Sequence, residues 1–298
     1  MERKGSLQRL RAPAAKIARI LLRRERAGRE YTPFADDICV VSYPKSGGTW
    51  LRFLIGNLIR PQTAVTFANI EATAPSIYHN PDHRLRQAPR SRILKSHEAF
   101  FSRHGRVIYL VRDPRDIAVS YYHYLIKFRE IPEDYPIVEY VPRFMREEFD
   151  AHYGPWDEHV LSWLRMRQGD PRFLLLRYED LLRTPEDELA RIARFIGIEV
   201  DERRVQQAIE LSSADRMRAL EKKQSRKWSA TAKSRQDMPF VRAATAGNWG
   251  ELPQESVQLI ESAWAPVMQI LGYALSSRLR DESGSDADKG HVLSTQTG

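Results

Sequence analysis

One cysteine, Cys39, stands in 298 residues. A lone thiol closes no intramolecular disulfide and builds no Cys-based zinc site, so a disulfide scaffold and a zinc finger are excluded, and a reducing compartment is expected. Long apolar runs are missing too: no stretch of about eighteen residues is apolar throughout, which excludes a membrane-spanning helix. No apolar segment near the start leads to a small-residue cleavage site, so a cytoplasmic location is expected. No repeat recurs at a fixed period. What is present, 42% hydrophobic and 29% charged, is the composition of a globular chain, not of a collagen or a wholly disordered one.

Acidic residues are scarce only at the N terminus. Residues 1–30 hold ten basic side chains against three acidic ones, a net of +7, while the remaining 268 residues balance at +1. The excess is an arm, not a basic domain, so no nucleic-acid partner is expected. Within residues 1–35, Leu7, Leu10, Ala14, Ile17 and Leu21 recur at steps of three and four. Such a stripe among arginines suits peripheral contact with an anionic membrane, or packing on the domain or on a second subunit. The oligomeric state is left open. Residues 36–280 form one domain, and 281–298, small and polar, are expected to be disordered.

Four short apolar runs, Ile38 to Tyr43, Arg92 to Lys95, Val107 to Val111 and Phe173 to Arg177, read as strands. Helical spacing follows at Trp50 to Arg60, Pro114 to Lys127 and Pro185 to Ile196, then at Val205 to Lys223 and Pro253 to Leu271, with a kink expected at Pro266. Gln224 to Trp249 lacks periodicity and reads as a mobile loop. Alternation of strands and helices predicts an α/β fold of three layers around a parallel sheet, with ligands at the carboxyl ends of the strands.

The first strand meets its helix through YPKSGGTW, Tyr43 to Trp50. Backbone N–H groups of a glycine-rich turn and a helix N terminus converge on one point, the geometry for an anion. Lysine precedes the glycines, unlike the nucleotide-triphosphatase loop, where Gly-Lys-Ser/Thr stands at the end. Gly47 and Gly48 permit close approach, Ser46 and Thr49 offer hydroxyls, and Lys45 a cation. Eight residues on from Arg112, Ser120 lies two turns into the next helix, where both could face one anion; Asp113 before Pro114 also suits a helix N-cap, and the two readings are compatible. His97 in LKSHE lies just past a strand end on the same rim, where an imidazole suits proton removal. His79 and His83 share i, i+4 spacing but flank Pro81, which argues against a metal pair, and no metal is expected.

YPKSGGTWLR resembles the phosphosulfate loop of sulfotransferases that use 3'-phosphoadenosine 5'-phosphosulfate (PAPS). RDPRDIAVSYY from Arg112 to Tyr122 is similar to that family's 3'-phosphate motif. YGPW (Tyr153 to Trp156), followed by His159 and Trp163, is similar to its acceptor-side helix, and RYEDL (Arg177 to Leu181) to its strand end near the adenine. The resemblance spans about Asp36 to Tyr273. It implies a P-loop-like fold, PAPS as co-substrate, and sulfuryl transfer to a hydroxyl of a small, lipid or sugar-bearing acceptor. It implies that Lys45, Ser46, Gly47, Gly48, Thr49 and Trp50 hold the 5'-phosphate side, and that Arg112 and Ser120 hold the 3'-phosphate. Tyr178, Ser212 and Arg242 then complete the nucleotide site. His97 becomes the general base, Lys45 stabilises the leaving phosphate, and Lys95 assists the transferred group. A sulfuryl group carries less charge than a phosphoryl group, so lysine and backbone dipoles suffice without magnesium.

The sequence departs from the family at several positions. Arg242 to Gly250 keeps Arg242, Gly247 and Trp249 of the family's C-terminal loop but lacks both lysines and the first glycine. Ala214 stands where an aromatic residue is usual, and Gly48 replaces a common threonine. Weaker nucleotide binding is expected. A nucleotide or small-molecule kinase, or a non-catalytic bisphosphate-nucleotide-binding protein, are the alternatives. Aromatic residues between Tyr121 and Trp163 could line an acceptor pocket or fill the core.

Overall fold

A computed structural model describes residues 30–276. The apolar stripe of the arm and the polar tail lie outside the described residues. Tyr31 and Thr32, which fall within the expected arm, are packed on the body. Tyr31 is buried against Cys39, and Thr32 donates to Asp82 through both its backbone N–H and its hydroxyl.

Four strands, β1 (Ile38–Ser42), β2 (Ile93–Ser96), β3 (Arg106–Val111) and β4 (Phe173–Arg177), form a parallel sheet in the order β2-β1-β3-β4. The helices are α1 (Gly48–Ile59), α2 (Ile70–Thr73), α3 (Asp82–Gln87), α4 (Pro114–Phe128), α5 (Ile137–Met145), α6 (Trp156–Arg167), α7 (Tyr178–Arg183), α8 (Pro185–Ile196), α9 (Glu202–Leu211), α10 (Ala214–Gln224) and α11 (Gln254–Ile270).

The strands read as unbroken apolar runs because each serves two cores. Cys39, Val41, Val107, Tyr109 and Val111 pack on one face, with Ile117 of α4, Trp156 of α6 and Ile260 of α11. Their neighbours Ile38, Val40, Ile108 and Leu110 face the other side, against Leu54 of α1, Ile192 of α8 and Val205 of α9. Period-two alternation between two buried faces is what a parallel sheet covered by helices requires. The three expected layers are present.

Two elements differ from expectation. The helix read from Val205 to Lys223 is two helices, broken at Ser212 and Ser213, because the carbonyl of Ser212 accepts from Trp50 Nε1 (3.0 Å) and its hydroxyl from Asn57 Nδ2 (3.0 Å). Residues 225–247 contain no regular helix before the 3-10 turn at Asn248–Glu251, yet they are tied down: the buried Lys127 ammonium donates to the carbonyls of Arg235 (2.8 Å) and Met238 (2.5 Å).

Asp113 caps α4 by accepting from Arg115 N (2.9 Å), with Pro114 at the first helical position, as the sequence suggests. Its ion-pair partner is Arg115 (2.6 Å). Arg115 is buried and also reaches Glu261 on α11 (2.5 Å), the carbonyl of Ala274 (2.9 Å) and the face of Trp249 (4.2 Å). One guanidinium thus joins the start of α4 to the C-terminal helix. Arg115→Ala would leave two buried carboxylates without it, and a loss of about 3–5 kcal/mol in urea unfolding is expected. A change below about 1 kcal/mol, the range of exposed pairs, would contradict this account.

Candidate functional site

The carboxyl ends of the strands open on one cavity of about 520 Å³. β1 delivers the turn before α1. Its backbone is strongly bent, with φ +69° at Lys45 and φ +97° at Gly47. Glycine at 47 meets a second demand, since a Cβ there would lie 2.6 Å from the Tyr178 ring. No side chain caps α1, so the first-turn N–H groups at Gly48, Thr49 and Trp50 are left for a ligand. Ser46 is fully buried beneath the turn and its Oγ has no hydrogen-bond partner.

Every residue expected at the site except Ser46 lines this cavity: Lys45, Gly47, Gly48, Thr49, Trp50, Lys95, His97, Arg112, Ser120, Tyr178, Ser212 and Arg242. Ser212 does so with its hydroxyl already accepting from Asn57, which makes it the joint between α9 and α10 as much as a ligand group. Trp50 packs edge-on against Tyr178 (5.4 Å between centroids), and the Arg112 guanidinium lies over the Tyr178 ring (4.3 Å). Buried Arg112 donates to the carbonyls of Lys45 (3.4 Å) and Thr245 (3.1 Å), while its Nε has no partner. Arg112 lines the cavity, where an anion could meet its guanidinium, whereas Ser46 does not reach the cavity.

Cations dominate this end. The Lys45 ammonium sits over Tyr124 (4.4 Å) and Phe240 (4.6 Å), and Lys95 lies 5.7 Å from the centre of Tyr78. Among the described residues, neither has a carboxylate at ion-pair distance. Burial, with Arg112 and Lys127 nearby, brings Lys45 down to about 7. Burial and Arg52 bring Lys95 down to about 7, against the pull of Glu71.

His97 follows β2 by one residue. Its Nδ1 lies 2.7 Å from the carbonyl of Ser42, the last residue of β1. A carbonyl only accepts, so Nδ1 carries the proton and Nε2 is the free base. Burial and the Lys95 ammonium hold the imidazole well below its ordinary value.

The loop from Phe240 to Glu251 closes the cavity over Lys45. Asp116 accepts from the backbone N–H of Gly247 (2.9 Å) and Trp249 (2.8 Å), and Glu221 from those of Phe240 (2.5 Å) and Val241 (3.0 Å). Arg242 pairs with Glu251 (2.7 Å). This loop is held by carboxylates on backbone amides, although it lacks the family's lysines. Asp116 and Glu221 went unnoticed in the sequence because acidic residues inside amphipathic helices look like solvated surface.

The helix expected on the acceptor side splits its duties. Trp156, His159 and Trp163 are buried in the core, and only Tyr153, ahead of the helix, reaches the cavity. His159 uses both ring nitrogens, accepting from the Tyr109 hydroxyl (2.8 Å) and donating to the carbonyl of His97 (3.0 Å). Tyr140, Phe144 and Trp156 belong to the core, whereas Tyr121, Tyr124 and Tyr153 line the cavity. Among the described residues, no group of three or more His, Cys, Asp and Glu side chains could hold a metal ion.

His97 is expected to remain in the neutral Nδ1–H form as pH falls through 6.5, where a free imidazole is half protonated. Imidazole ¹⁵N chemical shifts report this directly. A titration centred at the ordinary value would refute the assignment.

The sulfotransferase domain model matches residues 35–271. Sulfotransferase 1B1 of Canis lupus familiaris is 29% identical over 230 residues, covering 72% of this chain and 77% of that protein. Sulfotransferase 1E1 of Bos taurus is 28% identical over 235 residues, covering 74% and 79%. Among solved structures, mouse sulfotransferase SULT7A1 complexed with PAP superposes with a TM-score of 0.63 at 22% identity, covering 80% of this chain and 86% of that one. Retinol dehydratase in a complex with retinol and PAP gives 0.65 at 22% identity, covering 78% and 80%. These two share the fold, and the family model spans it from before β1 to the end of α11: the chain belongs to the sulfotransferase family of enzymes.

Proposed function

We propose that the protein transfers a sulfuryl group from PAPS to a hydroxyl of a small, lipid or sugar-bearing acceptor. The observation that carries this reading is an imidazole with a fixed free nitrogen sharing one cavity with two lysines that lack carboxylate partners. The neighbours that hold PAP support the donor, and the one that also holds retinol, itself an alcohol, supports a hydroxyl acceptor.

Bound PAPS supplies the sulfuryl group and a phosphate that leaves with the nucleotide. The N terminus of α1 with Thr49 would hold that phosphate, Ser46 lying beneath the turn, and Arg112 with Ser120 the 3'-phosphate. Trp50 and Tyr178 offer the adenine its apolar faces. Nε2 of His97 takes the acceptor hydroxyl proton, and Nδ1 donates to Ser42 throughout. Lys45 neutralises charge on the leaving oxygen, and Lys95, two residues before His97 on the same strand face, faces the group in transit.

Two measurements test this. Sulfur-labelled donor with a panel of hydroxylated acceptors should give labelled product, and His97→Ala should lower the rate by about a hundredfold to ten-thousandfold without changing PAP affinity. Phosphate transfer from ATP would favour a kinase instead, and nucleotide binding without turnover a non-catalytic protein.

The lysines add a pH signature. Each is pulled down to about 7 in the free protein, and a bound dianion raises both, so binding takes up protons above that pH. Affinity for PAP should therefore fall as pH rises from 7, by up to about tenfold per unit for each lysine. Lys45→Ala should bind more weakly and flatten the dependence in calorimetry. An affinity constant between pH 7 and the ordinary lysine value of 10.5 would remove Lys45 from the phosphate site.

A further inference from the structure

β2 ends at Ser96, so the backbone N–H of His97 has no strand partner. A second segment supplies one. Residues Pro75 to Ile77 run beside β2: Lys95 N donates to the carbonyl of Pro75 (2.8 Å) and Ile77 N to that of Lys95 (3.1 Å). This pairing brings Tyr78 against the end of the strand. Its hydroxyl accepts from His97 N (2.7 Å) and donates to Glu98 Oε1 (3.1 Å). Its ring is nearly parallel to the imidazole, 13° apart with centroids at 5.9 Å. Tyr153 meets both rings edge-on, at 5.7 Å from His97 and 6.1 Å from Tyr78.

The segment is itself anchored. Glu71 accepts from Ser76 N (2.8 Å), Asn80 Nδ2 (2.8 Å) and Arg52 (2.8 Å), the last fully buried on α1. Tyr78 therefore stands on a support that reaches the helix of the phosphate loop.

We propose that Tyr78 is the positioning residue of His97, its hydroxyl holding the main chain of the base and its ring fixing the plane of the imidazole. The proposal rests on the reading of His97 as general base. The Ser42 carbonyl selects the tautomer but leaves the ring free to pivot about that one bond. Tyr78 restricts the pivot by packing its nearly parallel ring beside the imidazole while its hydroxyl replaces the missing strand partner. The same ring lies near the Lys95 ammonium, so one side chain adjoins both functional groups at the end of β2. Burial pushes the phenol upward, which keeps its proton available to Glu98 across the working range of pH.

Tyr78→Phe retains the ring and removes only the hydroxyl. Its kcat should fall about tenfold, the scale of one lost hydrogen bond, with unchanged KM for PAPS and unchanged PAP affinity. Amide hydrogen exchange at His97 should accelerate by about the same factor while the neighbouring β1 and β3 amides keep their protection. Tyr78→Leu, which also removes the ring, should lower kcat further and shift the imidazole ¹⁵N signals of His97 toward a mixture of tautomers. A merely structural tyrosine would instead loosen the whole sheet and change KM together with kcat. Wild-type kcat in Tyr78→Phe, or wild-type exchange at His97, overturns the proposal. Should His97→Ala keep full turnover, the base reading falls, and exchange at His97 in Tyr78→Phe still decides whether this backbone is held by the phenol.

Discussion

Withdrawing an ammonium group from water is costly unless an anion replaces the lost hydration, and Lys45 and Lys95 are both withdrawn with aromatic rings as their close neighbours. The carboxylates that could have neutralised them are engaged elsewhere. Glu221 and Asp116 accept from backbone amides of the closing loop, Glu71 from Arg52 and Ser76, and Glu251 from Arg242. Positive charge therefore outweighs negative around the two lysines, although Asp150 lines the cavity and Asp116 lies 3.5 Å from Arg112. Burial first, and neighbouring cations second, lower the two lysines, and a polyanion bound in the cavity would relieve them and meet the Arg112 guanidinium beside them.

Much of this was legible in the sequence because the phosphate loop, β2 and the Arg112 turn are local constructions. A β-branched run, two adjacent glycines and a helical period suffice to place Lys45 to Trp50, and strand polarity places His97 and Arg112 on the same rim. The parallel sheet followed from strands that are apolar at consecutive positions, which only a sheet buried on both faces tolerates.

What escaped depends on contacts far apart in the chain. The break at Ser212 is made by Trp50 and Asn57, more than a hundred residues earlier, and no local pattern announces it. Trp156, His159 and Trp163 resembled acceptor-side residues, yet the face of α6 that carries them turns inward to the sheet. The loop from Arg242 to Gly250 looked weakened by its missing lysines. What anchors the loop itself is Asp116 together with Glu221, a role visible only once the helices and the loop are brought together, and it leaves the expected weaker grip on the nucleotide untouched.

Ser42 ends β1, its carbonyl orients His97, and the next residues are the phosphate loop. Under the proposed function, donor binding and proton removal would both be built on one strand terminus, with Tyr121, Tyr124, Tyr153 and Phe240 supplied by a helix and loops. The two walls are not independent: Tyr124 and Phe240 lie against the Lys45 ammonium and Tyr153 against the His97 ring, so a change of the aromatic wall reaches the groups on the strand ends as well.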